Sequence, residues 1–92
     1  SKNRAMLNVS VIRNSDNVPV TAYVAVKTVN LTGQLKNISM RKIEEPGETV
    51  VIYYVGDTTI ANREVLVFDI SIKPDGEENT SEVRFQRQFY TD

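Results

Sequence analysis

Hydrophobic and polar residues alternate with period two along most of the chain. Met6 to Arg13 sets Leu7, Val9 and Val11 against Asn8 and Ser10, which predicts a half-buried strand. Val20 to Val29 repeats the pattern, with Val20, Ala22, Val24 and Val26 on one side and Tyr23 and Lys27 on the other. Leu35 to Ile43 alternates less cleanly. Ile38 and Met40 share a face and Ile43 falls out of phase, a slip that a bulge or an edge position would explain. Thr49 to Val55 is apolar on both faces, as expected of a central strand or one covered by a partner. Glu64 to Lys73 directs Leu66, Phe68, Ile70 and Ile72 inward. Ser81 to Tyr90 sets Val83, Phe85, Arg87 and Phe89 against Arg84, Gln86, Gln88 and Tyr90.

Turn chemistry separates these segments. Asn14-Ser15-Asp16-Asn17 and Asn30-Leu31-Thr32-Gly33 are dense in turn formers. In Glu45-Pro46-Gly47-Glu48, Pro46 is expected at the first corner and Gly47 in the left-handed region at the second. Gly56-Asp57-Thr58-Thr59 is read as a turn, and 58–63 as a short segment crossing between sheets. Lys73-Pro74-Asp75-Gly76-Glu77 predicts a turn with Pro74 at the first corner. No helical periodicity is present. The pattern predicts one all-β domain over 1–92, an antiparallel two-sheet sandwich of six to eight strands with Greek-key links. A closed barrel fits less well, because the strand lengths differ so much.

Composition narrows the chemistry. The 92 residues contain no cysteine and no histidine, so disulfides, thiolate sites and the commonest general base are absent. No cofactor is called for, and an enzyme is the least expected class. No apolar run reaches the roughly 18 residues of a membrane helix, so no membrane insertion is expected. No secretory leader is legible, and the chain reads equally as a processed or excised domain. Charge is lopsided: up to Lys42 seven basic residues stand against one acidic, and from Ile43 onward four against eleven. In a sandwich the halves either interleave or leave opposite poles suited to head-to-tail association. A nucleic-acid partner would require a basic stripe with stacking aromatics, which is lacking.

Individual residues carry weaker signals. Asp69 lies among apolar neighbours and is either a buried acid or a solvated, arginine-paired residue on an outer face; the second reading is preferred. The 75–79 loop offers oxygens to calcium but matches no EF-hand spacing and serves equally as a solvated hairpin tip. Asn8, Asn30, Asn37 and Asn79 each begin an N-x-S/T triplet, read here as strand and turn composition. Tyr23, Tyr53, Tyr54 and Tyr90 suit a sugar platform or a protein contact. Tyr53 and Tyr54 are adjacent and so point to opposite faces. Arg13, Arg84 and Arg87 mark the terminal strands with charges that discourage unplanned strand addition, while an edge left open becomes a docking rail. The candidate partner contacts are Tyr53, Tyr54, Tyr23, Arg84 and Arg87.

Three stretches carry a resemblance: N-S-D-N-V-P-V-T-A-Y-V-A-V over 14–26, Pro46-Gly47-Glu48-Thr49, and V-F-D-I-S-I over 67–72. They are similar to immunoglobulin-like adhesion modules and jelly-roll subunits of bacterial surface and spore fibres. The tryptophan of antibody-type cores and the cysteines of some fibre subunits are missing. The resemblance implies a non-catalytic structural or protein-interaction module at an extracellular or cell-surface location. Its partner would be itself or another surface protein. A self-assembling fibre or shell subunit and a carbohydrate- or calcium-binding module stand as alternatives.

Overall fold

Strands account for all the regular structure of the computed structural model, which describes residues 3–91. In chain order they are β1 (Arg4–Val9), β2 (Ala22–Asn30), β3 (Leu35–Ile38), β4 (Arg41–Glu45), β5 (Val51–Thr59), β6 (Val65–Pro74) and β7 (Ser81–Gln88). They form a three-stranded sheet, β1-β5-β4, and a four-stranded sheet, β3-β2-β6-β7. Every pairing is antiparallel. The two-sheet sandwich expected from the alternation is therefore present.

The period-two pattern decides which side chains meet between the sheets. Ala5, Val9, Val11, Tyr54 and Ile60 bury themselves against Val26, Ile38, Leu66, Phe68 and Ile70. β2 and β6 carry the cleanest alternation and pair over their whole common length, from Ala22 opposite Pro74 to Asn30 opposite Leu66. Thr28, almost fully buried in this layer, satisfies its hydroxyl by donating to the Lys36 carbonyl at 2.7 Å. A buried hydroxyl needs such a partner, because an unmet one costs about 1–3 kcal/mol.

Five local expectations are adjusted. Leu35 to Ile43 is not one bulged strand: β3 ends at Ile38 and β4 begins at Arg41, in the other sheet. The phase slip marks the chain crossing between sheets at Ser39–Met40. Gly56-Asp57-Thr58-Thr59 is no turn but the second half of β5. Gly56 is there because the crossing passes over it. A Cβ at that position would stand 2.5 Å from Ile38 Cγ2, 2.6 Å from Met40 Sδ and 2.8 Å from the Ser39 carbonyl oxygen. Gly47 does not enter the left-handed region, since only Gly33 and Gly76 do among the glycines; the 46–50 loop spreads its reversal over more residues. Pro74 ends β6 and accepts from the Glu77 N–H at 3.1 Å, so Asp75 takes the first corner and Gly76 the left-handed one. The crossing expected within 58–63 falls at 60–64, between β5 and β6.

Candidate interaction surface

β5 is the centre of the three-stranded sheet, which is why its sequence is apolar on both faces. Tyr54 faces inward at 6% exposure, and its hydroxyl accepts from the Ala22 N–H at 2.8 Å. It ties the sheets together, and its place among the candidate partner contacts is withdrawn. Tyr53 faces outward and is half-buried. Its hydroxyl donates to Glu45 at 2.9 Å, and that bond to a carboxylate raises the phenol above its ordinary pKa. Directly opposite Tyr53 lies Ile43 of β4, with Val55 and Val51 on the diagonals. Met6 of β1 extends the band from the other side and is 77% exposed. The outer face of this sheet thus carries an apolar row, Met6–Val55–Ile43–Tyr53–Val51, bordered on the same face by Asp57, Asn8, Arg41 and Glu45.

The remaining candidates do not join that band. Tyr23 is exposed on the outer face of the other sheet, opposite Lys73. Arg84 lies on that same face, 3.6 Å from Asp69, which in turn sits opposite Lys27. Asp69 is accordingly an exposed, arginine-paired residue. Arg87 is on the core-side face of β7, with its guanidinium 5.7 Å from the Phe89 ring centre. The five residues singled out in the sequence thus do not converge: Tyr23 and Arg84 share the outer face of one sheet, Tyr53 lies on the outer face of the other, Tyr54 is in the core and Arg87 is on the core-side face of β7.

The best-buried charges were not legible in the sequence. Lys36 and Glu64 form an ion pair at 2.9 Å with side chains 14% and 10% exposed. The Glu64 carboxylate also accepts from Asn30 Nδ2 and from the Ala61 N–H, each at 2.9 Å, while Lys36 Nζ donates to the Thr59 carbonyl at 2.8 Å. Burial alone would push the Glu64 pKa up. The bonds from Asn30, Ala61 and Lys36 outweigh it and hold the group below the ordinary glutamate range. Asn30 uses its amide oxygen to accept from the Thr32 and Gln34 N–H groups, closing the turn that Gly33 completes at φ 87°. These bonds tie one end of the sandwich together. Asp75 accepts from the Thr21 hydroxyl, and among the described residues no three acidic groups converge where a metal ion would sit.

Part of the charge asymmetry of the sequence is met by ion pairs within the molecule. Arg4 forms a bidentate bond to Asp57 across β1 and β5, and the Lys36–Glu64 and Lys42–Glu44 pairs also join the basic part of the chain to the acidic part. Antiparallel pairing of early with late strands brings parts of the two halves together.

A family model described as Domain of unknown function (DUF4426) matches residues 1–92. The chain also superposes on the crystal structure of a DUF4426 family protein from Pseudomonas aeruginosa PAO1 with a TM-score of 0.85 at 29% identity. That match covers 100% of this chain and 69% of the other. No curated protein matches the chain.

Proposed function

This chain belongs to the DUF4426 family, and from that premise we propose that it is a non-catalytic protein-interaction module of a bacterial surface. It would work by holding a rigid apolar band in front of a partner. The observation that carries the reading is the outer face of the three-stranded sheet. Met6, Val55, Ile43, Tyr53 and Val51 lie there on ordered strands, where the partner side of a strand is usually polar. Aromatic and methionine side chains are the types enriched at protein contacts.

The strand order supports an immunoglobulin-like reading of the sandwich. β1-β5-β4 and β3-β2-β6-β7 follow the order of strands B-E-D and C′-C-F-G of that fold. Together with the likeness of its turns to surface modules, this supports a location at the cell surface, as part of a larger adhesive or scaffolding protein or as a self-associating unit. Fractionation of the producing cells tests the location: a purely cytoplasmic pool would remove that part of the proposal.

The contact itself is tested by immobilising the protein and exposing it to an envelope extract. Met6→Asp with Val51→Asp should abolish retention of a discrete partner while leaving the melting midpoint in place, since both side chains are exposed. Unchanged retention would remove the band from the function.

A further inference from the structure

The outer face of the three-stranded sheet has a symmetry that its order in the chain hides. Tyr53 and Ile43 stand opposite one another on β5 and β4. One rung to either side lie Val55 beside Arg41 and Val51 beside Glu45. The row thus has a bulky apolar centre, a valine on each flank, and opposite charges at equal distances from that centre. Arg41, Glu45 and Val51 are exposed, and Ile43, Tyr53 and Val55 are half-buried. Arg41 belongs to none of the ion pairs formed by the described residues. Glu45 gives Oε1 to the Tyr53 hydroxyl at 2.9 Å, and no hydrogen bond among the described residues uses its second oxygen.

We propose that two copies of the chain pack face to face on this row, about a two-fold axis that crosses the strands at Tyr53 and Ile43. The inference rests on the interaction-module reading and names its partner as a second copy. About that axis β5 lies on β5 and β4 on β4, with strand directions opposed. Val55 then meets the second copy's Val51, and Arg41 meets the second copy's Glu45, each pair occurring twice. Sheets stacked in this way stand about 10 Å apart, a gap that an arginine and a glutamate close with a direct bond. An isologous contact requires one patch to supply both halves of every pair. A partner of any other sequence needs to match the charges in one orientation only and has no use for their equal spacing. The same holds for a covering stretch of the same polypeptide. An axis running along β5 instead would set Arg41 over Asn8 and leave Glu45 beyond the end of β1.

Two strands over three rungs bury less than the ~800 Å² per partner of a standard interface, so the association is weak. Display at high local density is what populates it.

Light scattering across a concentration series tests the arrangement. The wild type should pass from monomer to dimer as concentration rises. Arg41→Glu and Glu45→Arg should each weaken the dimer by about tenfold, because each sets like charges face to face in both pairs. Mixed in equal amounts the two variants should regain the loss, since one then carries two acidic groups and the other two basic ones. Met6→Asp should leave the dimer in place, because Met6 lies beside Asp57, outside the overlap. With Val51→Cys, the sole thiol of the chain should react freely in dilute protein and be shielded as the dimer forms.

A wild type that stays monomeric at the highest attainable concentration overturns the proposal. So does a dimer that survives both single variants, a mixture that fails to regain it, or a dimer that Met6→Asp dissolves. A thiol already shielded in the monomer would give the face to another stretch of the same polypeptide, with the same result. If the wild type is monomeric while the Met6/Val51 variant still loses its envelope partner, the pairing of copies alone falls. If the charge swap works while that variant keeps its envelope partner, the dimer stands and the envelope contact falls.

Discussion

Along one long side of the sandwich the chain itself passes from sheet to sheet at Ser39–Met40, pressed so closely on Gly56 that no side chain fits between. Along the other side β1 and β7 are, among the described residues, the edges of their sheets, and Val83 and Phe85 of β7 are partly exposed. The two sides use the same residue types. What separates them is whether the opposing sheet has a strand to place on top. Hydrophobic alternation states which face of a strand wants covering, and the neighbouring strand count decides whether it is covered.

Substitutions on the same rung make the contrast measurable. Phe68→Ala, at the buried member of the stacked pair, should destabilise by about 4 kcal/mol, as large-to-small changes in cores do. Gly56→Ala attacks the closed side and should cost about 3 kcal/mol, because the clash includes the Ser39 carbonyl and backbone cannot swing away. Both are read from denaturant midpoints at unchanged slope.

Glu64→Gln should cost about 2 kcal/mol at neutral pH by leaving Lys36 without its counter-charge, less than for a fully buried pair. It also has a pH signature. The folded Glu64 titrates below its ordinary value, so its contribution is complete above the unfolded value of about 4.3 and disappears as pH falls through the folded one. The gap between wild type and variant should therefore narrow on acidification below about pH 4. A gap that widened there would contradict the bonding described. The smallest effect is expected on the open side: Phe85→Ala should cost about 1 kcal/mol, because its ring is already partly hydrated. A loss equal to that of Phe68→Ala would mean that β7 is covered after all.

Much of the fold was legible in the sequence. The alternation of Leu66, Phe68, Ile70 and Ile72 marked an inward-facing strand correctly, and of the two readings of the apolar doubling in Thr49 to Val55, a central strand or one covered by a partner, the first holds. The failures have physical causes. A phase slip looks the same whether a strand bulges or crosses to the opposite sheet, so β3 and β4 merged. A glycine beside an aspartate signals a turn locally, whereas Gly56 answers to a contact with Ser39 and Met40 from a distant stretch. The adjacency of Tyr53 and Tyr54 told that their rings diverge but not which one the core would take. Lys36 and Glu64 are too far apart in the chain for any local pattern to pair them, and Met6 became conspicuous only once Tyr53 and Ile43 were placed beside it.

The register that joins Arg4 to Thr59 has a consequence for how the molecule is made. On a ribosome β1 emerges well before β5, its ladder neighbour among the described residues, because the paired positions lie 45 to 55 residues apart in the chain. Non-local closure of this kind is slow. Nascent β1 thus waits for its partner, and chaperone holding of the stretch from β1 to β4 would protect the yield.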